Sequence, residues 1–451
     1  MEAVGRTILE HPLLRVVLVG EDSKKPVWAE LKEIDIRWLA EWWEVETPCD
    51  LAFRYQNTIP THLDSRFPDL ENRPGWKVTL LHDSQSRHLE VVFAWNHANF
   101  DGVSGKIFHE TLLRHLNHPV PSEGSEPFLS GEVSPDTFPP PQEHWAEYTV
   151  TPAYLLSSAW KELRPRLLTP KPTTQAAWAP IHTTPFETRV RGLSVDHQAL
   201  KQTLDACRKH HTTLTGLLNA VTLISLAAQL DEGTAPAFAG GTALNMRRFS
   251  APTEELKAEN TMANFVSAVE HHFNADETKE IRKVCGRDSS GAPYTQKVLD
   301  MVWKVASQVR DQIQARLDKG TRNDIVGLMR FVNDWRGTVK GQTEKPRSLS
   351  WNVSNIGVLD GDGSSTETHV KNAWRCERAA FVMGGEVTGA VFNIGAVSVQ
   401  GGRSLEIAVS WQNCAVESRI GEQLVKDLES WLKWTSEEAS SVGEEAAPMI
   451  S

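Results

Sequence analysis

Cysteine is scarce in this chain, and the few cysteines present lie far apart. Five of the 451 residues are cysteine, with no C-x-x-C pair among them. A sparse, odd-numbered set is typical of free thiols in a reducing compartment and not of a disulfide framework. The opening residues Met1–Arg6 lack the basic start and apolar run of a secretory signal. We therefore expect a cytoplasmic protein.

Positive charge is in deficit, and long hydrophobic runs are missing. Lysine and arginine number 47 against 58 aspartates and glutamates, so the formal net charge is −11. Nucleic acids bind concentrated lysine and arginine, and membrane surfaces attract polybasic runs, which this sequence lacks. The most apolar segment, 214–230, contains several polar residues and is shorter than the ~20 apolar residues of a membrane span. The sequence predicts no nucleic-acid partner and no membrane span.

The motifs of the common cofactor and nucleophile sites are also missing. The sequence contains no G-x-x-x-x-G-K-[ST], G-x-G-x-x-G, G-x-S-x-G or H-E-x-x-H. Two histidine pairs, 210–211 and 271–272, have no partners at metal-ligand spacing. The segment 360–364 lacks the glycine and the glutamate of a calcium loop. We predict no metal site and no tightly bound cofactor.

The most informative feature that is present is the run F-A-W-N-H-A-N-F-D-G at 93–102. Leu89, Val91, Phe93 and Trp95 recur at every second position up to His97, which predicts a strand. After Gly102 the spacing of the apolar residues becomes helical. His97 therefore ends a predicted strand, and Asp101 opens a predicted helix, which it can cap. Strand ends in α/β folds are where ligands and catalytic groups gather. From these residues alone, a structural histidine and a simple helix cap remain open alternatives.

Length and proline content suggest how the chain is divided. At 451 residues it is too long for one small core. We predict a mixed α/β lobe over 1–165, a proline-rich linker over 166–187, a second lobe over 188–435 and an acidic, disordered tail over 436–451. Within the second lobe, the segment 211–226 is apolar almost all round, which predicts a buried helix.

Tryptophan is unusually common for a chain with so little tyrosine. Sixteen tryptophans stand against four tyrosines. Two interpretations remain open, because large aromatic side chains serve both to fill cores and to line apolar tunnels for bulky ligands.

H-x-x-x-D-G at a strand-to-helix turn resembles the signature of the superfamily of chloramphenicol acetyltransferases, plant BAHD acyltransferases and condensation domains. Further segments resemble those of the superfamily in the same order: 193–196 with 213–220, and the N-x-R segment within 242–249. The segment 351–357, with its S-N-I-G, resembles that of fungal alcohol-acetyltransferase-like proteins. The doubled histidine of condensation domains is missing, as is the plant D-F-G-W-G segment, whose place the 351–357 segment takes.

The resemblance implies a fold and a set of residue roles. The fold is α/β, with two chloramphenicol-acetyltransferase-like lobes of mixed sheets and flanking helices, and a tunnel between them. By resemblance, His97 is the general base and Asp101 is structural, pairing with an arginine that holds the histidine loop. Arg247 is the candidate for that arginine or, with Asn245, for a contact between the lobes. Gly102 allows close approach of the chain at the turn.

The resemblance also implies the reaction. It predicts an O-acyltransferase that moves an acyl group, in the simplest case acetyl from acetyl-CoA, to a hydroxyl of a bulky hydrophobic small molecule such as a terpenoid or polyketide. No covalent enzyme intermediate is needed, because a thioester is already activated. Ser354, Asn355 and Asn413 are the candidates for stabilising the oxyanion.

Two alternatives stay open beside this prediction. One is acyl transfer or condensation from a carrier-protein thioester, and the other is a diverged pair of lobes that only binds or cyclises a hydrophobic ligand. In each case the partners are small molecules or a donor thioester, and we expect a monomer.

Overall fold

A computed structural model describes the chain at residues 1–83, 85–119, 128–130, 137–163, 174–250, 256–285, 296–362, 373–401 and 404–444. Its α-helices are α1 (Glu2–Glu10), α2 (Pro48–Asp64), α3 (Gly102–Asn117), α4 (Gln142–Trp145), α5 (Pro152–Leu163), α6 (His197–Lys209), α7 (Leu214–Gln229), α8 (Ala275–Cys285), α9 (Gln296–Asp318), α10 (Ile325–Leu328), α11 (Trp335–Gly341) and α12 (Ser418–Glu444). Its strands are β1 (Val16–Val19), β2 (Val27–Glu30), β3 (Glu33–Asp35), β4 (Ala40–Val45), β5 (Trp76–Asp83), β6 (His88–Trp95), β7 (Phe128–Ser130), β8 (Thr188–Asp196), β9 (Phe238–Asn245), β10 (Val266–Phe273), β11 (Leu349–Leu359), β12 (Ala390–Val399) and β13 (Ser404–Gln412).

The first lobe is built around the three-stranded sheet β4-β5-β6. β4 and β5 are parallel, whereas β5 and β6 are antiparallel, with Trp76 opposite Trp95. Apolar residues on one face of β5 and β6 pack against α1 and α3 in a single core. Phe93 on β6 stacks on Phe108 of α3, with ring centroids 3.9 Å apart. This packing places the end of β6 directly beside the start of α3. Two smaller pairs, β1-β2 and β3-β7, complete the described strands outside the large sheet.

The second lobe is built around a six-stranded mixed sheet in the order β10-β9-β11-β12-β13-β8. One face of this sheet is covered by α6, α7, α9 and α12 in the largest apolar cluster of the described residues. The buried helix predicted at 211–226 is α7, and it begins where the Thr213 hydroxyl accepts a hydrogen bond from the Gly216 N–H at 3.2 Å. α7 is buried along almost its whole length because it has no polar face.

The opposite face of the large sheet is turned toward the first lobe, and we call it the interlobe face. On β11, Trp351 donates to Asn219 of α7 at 2.8 Å, so its side chain lies on the helix-covered face. Ile356, five positions later, instead packs against Gly102 at the start of α3. Side chains alternate along the regular part of β11, so Ser354, three positions after Trp351, lies on the interlobe face.

The segment 373–389, which we call the crossing segment, runs over the interlobe face. At its start, Asn117 of α3 and Trp374 exchange two hydrogen bonds of 2.9 and 2.7 Å. Farther along, the Met383 carbonyl accepts from Ser410 of β13 at 2.5 Å, and the Gly384 carbonyl accepts from Asn393 of β12 at 3.2 Å. The crossing segment therefore ties the motif helix of the first lobe to the sheet of the second.

The predicted linker is partly a packed element. Residues 164–173 lie outside the described part of the chain, so the first half of the 166–187 prediction is not described. In the second half, Ala176 and Ala179 are buried in the core of the large sheet. Trp178 also packs against that core. The reason is local composition. Burying the apolar residues of the run 176–179 is favourable, although prolines flank them.

The predicted tail also differs from the structure. α12 continues to Glu444, so the part 436–444 of the predicted disordered tail is helical, and 445–451 lie outside the described residues. Glutamate and alanine favour helix, and the first proline comes only at Pro448, so little stops the helix from extending. The prediction of disorder was based on acidic composition alone. The helix propensity of these residues instead allows α12 to continue through 436–444.

The predicted end of the first lobe at 165 stays a prediction, but contacts cross it. Gln142 donates to the Val266 carbonyl at 2.6 Å, and Arg330 donates to the Glu143 carbonyl at 3.0 Å. Residues just before the linker thus contact the second lobe. No single described helix is long and apolar enough to cross a membrane, although α6 and α7 together, bent by 88°, pass that test by length and composition only.

Candidate active site

His97 lies in the tight turn that joins β6 to α3. The strand ends at Trp95, two residues before the predicted end, because the chain turns there. The Trp95 indole donates to the Phe100 carbonyl at 2.8 Å and closes the turn. From the second lobe, the Asn264 amide donates to the His97 carbonyl at 2.8 Å. The backbone of His97 is therefore held from both lobes.

The His97 imidazole itself is exposed. Within the described parts of the chain, no group makes a hydrogen bond of standard geometry to either ring nitrogen of His97. A fixed backbone with an unengaged imidazole suits a side chain that exchanges a proton with a bound molecule.

Asp101 is both a helix cap and half of a buried ion pair. Its carboxylate accepts from the Ser104 N–H at 2.8 Å, which caps α3. The same carboxylate accepts from Arg247 Nη1 at 2.6 Å and Nη2 at 3.1 Å, a two-pronged contact. A further hydrogen bond, of 2.9 Å, comes from the Phe265 N–H. Only 5% of the Asp101 side chain and 4% of the Arg247 side chain are exposed. Asp101 is therefore at the same time the N-cap of α3 and the ion-pair partner of Arg247.

Arg247 extends the pair into a clamp made largely of second-lobe residues. Its guanidinium donates to the carbonyls of Thr261 and Ala263, each at 3.1 Å. The Asn245 side chain accepts from the Arg247 N–H at 3.1 Å and so shapes the turn that aims the arginine. The guanidinium also lies over the Phe265 ring, 5.1 Å from its centroid. The sequence did not point to Thr261, Ala263 or Phe265, because their contribution comes from backbone groups and one ring face.

Gly102 is needed for packing and not for a special backbone angle. A Cβ at this position would lie 2.7 Å from Ile356 Cγ2 and 2.8 Å from Phe381 Cζ. The start of α3 therefore lies directly against β11 and the crossing segment. The Phe381 ring also stacks near Trp95, with centroids 6.5 Å apart. These apolar side chains surround the motif on the interlobe face.

The three oxyanion candidates lie in different places. Ser354 shares the interlobe face with Ile356. The Asn355 amide instead donates to Thr215 of α7 at 3.3 Å, while its carbonyl oxygen accepts from the Gly357 N–H at 3.0 Å. Asn355 is therefore turned toward the helix-covered side of the sheet.

Asn413 is both engaged and remote from Ser354. Its amide donates to Glu187 at 3.1 Å, and its oxygen accepts from Ser418 at 3.1 Å. Ser354 pairs with Gly395 of β12, which in turn pairs with Ala408 of β13. Asn413 comes five residues after Ala408, so at ~3.3 Å per residue it lies about 17 Å from Ala408 along the chain. The structure does not bring the three candidates together.

No group of three or more histidine, cysteine, aspartate or glutamate side chains is placed to hold a metal ion in the described ranges.

The sequence of this chain matches that of known acetyltransferases. A family model described as alcohol acetyltransferase matches residues 65–420. A protein of Fusarium pseudograminearum named probable alcohol acetyltransferase is 28% identical over 442 residues, covering 95% of this chain and 84% of that protein. A second probable alcohol acetyltransferase, from Aspergillus fumigatus, is 21% identical over 433 residues, covering 92% of this chain and 86% of that protein.

Solved structures show the same two-lobed fold. The trichothecene 15-O-acetyltransferase of Fusarium sporotrichioides superposes with a TM-score of 0.67 at 12% identity, covering 96% of this chain and 85% of that one. An epimerization domain of tyrocidine synthetase superposes with a TM-score of 0.55 at 15% identity, covering 98% and 89%. The chain thus shares the fold of these two structures, and the match to the family model identifies the family. The chain belongs to the alcohol acetyltransferase family.

Proposed function

We propose that this enzyme transfers an acetyl group from acetyl-CoA to a hydroxyl of a bulky, apolar small molecule, with His97 as the general base. The observation that carries the proposal is the contrast at the motif turn. Asp101 and Arg247 are buried and hold the turn in place, whereas the His97 imidazole is exposed beside the interlobe face. An imidazole that no described group engages, on a turn held by a buried ion pair, is available to exchange a proton with a substrate.

The proposed reaction needs no covalent enzyme intermediate. The neutral His97 imidazole takes the hydroxyl proton as the alcohol oxygen attacks the thioester carbonyl. The tetrahedral intermediate then collapses, the C–S bond breaks, and the imidazolium returns the proton to the leaving thiolate. Such a base is worth about two to four orders of magnitude in rate. Ser354 is the candidate we retain for donating to the oxyanion, because its side chain shares the interlobe face with the residues that contact the motif.

The surroundings of the motif favour an apolar acceptor. Trp95, Ile356 and Phe381 converge at the start of α3 and give this part of the interlobe face an apolar wall. Apolar walls with a few polar groups are typical of sites for hydrophobic small molecules. The named acetyltransferases among the comparisons include one that acts on a trichothecene. We therefore propose an acceptor of the size and polarity of a terpenoid or polyketide alcohol.

The test is product formation with a defined donor. Purified enzyme is incubated with deuterated acetyl-CoA and a panel of apolar terpenoid and polyketide alcohols, and free thiol and ester mass are followed together. We expect the amount of thiol released to equal the amount of deuterated acetyl ester formed from at least one alcohol. Ester formation only from an acetylated carrier protein would overturn the acetyl-CoA donor. Binding of an alcohol without transfer from either donor would overturn the transferase itself.

A further inference from the structure

The first lobe contains a groove between α2 and the strands β4 and β5, and we call it the α2 groove. It is lined by residues from 38–43, 53–68 and 73–81. Its volume is about 640 Å³, within the range of about 300–1,000 Å³ that is typical of small-molecule sites. The sequence did not point to this groove, because its residues come from separate elements and share no motif.

Strand alternation builds one wall of the α2 groove, and helical spacing builds the other. On β5, the Val78 side chain lies in the core of the first lobe, so Lys77 and Thr79 point to the opposite face, toward α2. On α2, Arg54 and Thr61 both line the groove, because residues seven positions apart share one face of a helix. The groove is therefore part of the packing of α2 on the sheet.

α2 lies between this groove and the crossing segment. Its Leu63 lies against Gly384, and the Arg378 guanidinium lies over the ring of its Tyr55, 5.7 Å from the centroid. The wall at 74–76 also borders the motif turn, where the Gly75 carbonyl accepts from the Asn96 N–H at 2.7 Å. The proposed reaction takes place at the interlobe face, so it leaves the α2 groove without a role.

The charge of the α2 groove is opposite to that of the whole chain. Four cationic side chains line it, Arg54, Arg66, Arg73 and Lys77, against the single carboxylate of Glu41. The chain as a whole has a formal net charge of −11. Lys77 pairs with Glu41, so the excess positive charge lies on the three arginines. Charge of one sign concentrated in a concave site attracts ligands of the other sign.

Two of these arginines lie on tryptophan rings. The Arg54 guanidinium is 5.1 Å from the centroid of Trp43, and that of Arg73 is 4.7 Å from the centroid of Trp38. A stacked guanidinium keeps its N–H donors at its edge, where they can bind a carboxylate or phosphate in a two-pronged contact. Arg73 has a carboxylate oxygen of Asp69 at 3.9 Å, whereas within the described ranges the Arg54 guanidinium has no acceptor.

The aromatic side chains of the groove are exposed, although their size gives them much to gain from burial. Trp38 is 53% exposed, Trp43 45% and Phe53 69%. Exposed apolar surface that is gathered in a concave site is typical of a surface that binds a ligand. A flat ring would bury these side chains while leaving the edges of the arginines free for an anionic group.

We propose that the α2 groove binds an aromatic anion, a flat ring that carries a phosphate or a carboxylate. The ring packs against Trp38 and Trp43, and the anionic group accepts hydrogen bonds from Arg54 and Arg66. Binding is non-covalent and does not involve His97, so this inference goes beyond the proposed function and does not depend on it.

The test is isothermal titration calorimetry of the full chain with naphthyl phosphate as the probe. We expect saturable binding to one site of the wild type. Arg54→Gln and Arg66→Gln should each weaken it at least about tenfold, because each removes a charge-assisted hydrogen bond. Trp43→Leu should also weaken it, because Arg54 loses the ring that orients it. No binding to the wild type at millimolar probe, or unchanged affinity in all three variants, would overturn the proposal.

Matched controls carry the same substitutions outside the groove. Arg208→Gln changes an arginine of α6 whose side chain is 71% exposed, and Trp160→Leu changes a tryptophan of α5 that is 57% exposed. Both variants should bind naphthyl phosphate as the wild type does. If they weakened binding as much as the groove variants, the probe would not be located in the α2 groove. Thermal unfolding checks that every variant is folded.

Probes that lack one part of the ligand test the two-part site. Naphthalene carboxamide keeps the ring without the charge, and inorganic phosphate keeps the charge without the ring. Each should bind at least about tenfold more weakly than naphthyl phosphate. Equal binding of either probe would overturn an aromatic anion as the ligand.

Two competitors then distinguish the sources of such an anion. Displacement of naphthyl phosphate by adenosine monophosphate would assign the site to nucleotides, and displacement by naphthoate would assign it to aromatic carboxylic acids. His97→Ala should bind naphthyl phosphate as the wild type does. If the wild type transfers acetyl groups but binds no naphthyl phosphate, this inference fails and the proposed function stands. If it binds the probe but transfers no acetyl group, the reverse holds.

Discussion

Single residues carry the most specific claims about this enzyme, beginning with the buried pair of Asp101 and Arg247. Removing one partner of such a pair leaves a buried charge unpaired, which costs about 3–5 kcal/mol. Asp101→Asn should therefore lower the free energy of unfolding by that amount and reduce activity with it. Urea unfolding followed by tryptophan fluorescence measures the first effect, and thiol release from acetyl-CoA the second.

The control for that prediction is an ion pair that water surrounds. Asp205 and Arg208 lie 2.5 Å apart on α6, with 54% and 71% of their side chains exposed. Exposed pairs contribute about 0–1 kcal/mol, so Asp205→Asn should leave stability almost unchanged. Equal destabilisation by the two substitutions would contradict the structural role given to Asp101.

A methyl group at Gly102 tests the contact between the lobes. In Gly102→Ala the new Cβ meets Ile356 and Phe381 at 2.7 and 2.8 Å. Overpacking of this kind costs about 1–3 kcal/mol and should push the start of α3 away from β11. Differential scanning calorimetry should show a lower Tm, and activity should fall at least about tenfold.

Gly341→Ala provides the comparison for Gly102→Ala, because no atom lies within 4 Å of the Cβ that it would add. We expect this variant to keep its Tm or gain slightly, since alanine favours helix over glycine. If Gly102→Ala were equally harmless, α3 would not lie against the second lobe as described.

At this scale the sequence pointed to the motif residues but not to their partners. His97, Asp101 and Gly102 could be found because they form a pattern, and Arg247 because its segment resembles a family segment. Asn264 carries no pattern, since it acts through a tertiary contact with His97, more than one hundred positions away. A contact of that kind leaves no periodic trace in one sequence.

Among the elements, the segment 261–265 is the one that couples the second lobe to the motif turn. Its backbone meets Arg247 and Asp101, and its Asn264 holds the His97 carbonyl at 2.8 Å. Asn264→Ala should loosen the turn without disturbing the buried pair. We expect kcat to fall about tenfold with a change in unfolding free energy of about 1 kcal/mol or less.

Steady-state kinetics beside urea unfolding separates the two effects in Asn264→Ala. A loss of stability as large as that of Asp101→Asn would mean that Asn264 supports the fold and not the turn. Unchanged kcat would mean that the His97 backbone needs no support from the second lobe.

The elements of the second lobe were predictable where the apolar pattern is strong. α7 lies close to the predicted segment 211–226, because a continuous apolar run leaves few alternatives. The end of β6 was predicted two residues late, because alternation continues to His97 while the Trp95–Phe100 hydrogen bond already turns the chain. α12 continues into the predicted disordered tail, because glutamate and alanine favour helix there.

For the whole molecule, buried neutral histidines should make stability depend on pH. Burial lowers the pKa of His11 from 6.5 to about 4, and the pKa of His109 likewise to about 4. The unfolded chain therefore binds more protons than the folded one between pH 6.5 and 4. Stability is then complete above pH 6.5 and is lost as the pH falls toward 4, for His11 by on the order of 3 kcal/mol.

His11→Gln tests this pH dependence while keeping a hydrogen-bonding group near Thr111, which His11 contacts at 2.9 Å. Unfolding free energies measured at several pH values between 7 and 4 should fall less steeply in the variant than in the wild type. Parallel curves would show that His11 does not stay neutral in the folded protein.

The arrangement of lobes is the least predictable property from one sequence. Composition indicated a large α/β protein, but the two lobes and the position of His97 between them came from resemblance. The abundant tryptophans serve the core in part, since Trp76, Trp351 and Trp411 are fully buried, while Trp95 lies beside the motif. The core-packing interpretation is therefore confirmed for these three tryptophans, and the lining of a tunnel for a bulky ligand stays a prediction.

Thiol release from acetyl-CoA by wild type, His97→Ala and His88→Ala tests whether His97 is the general base. His88 is an exposed histidine at the far end of the same strand, so its replacement controls for loss of a histidine on β6. We expect His97→Ala to keep the wild-type Tm and to lose at least about a hundredfold in rate, while His88→Ala should match the wild type. A folded His97→Ala enzyme with more than a few per cent of wild-type activity would contradict the assignment of His97 as the base.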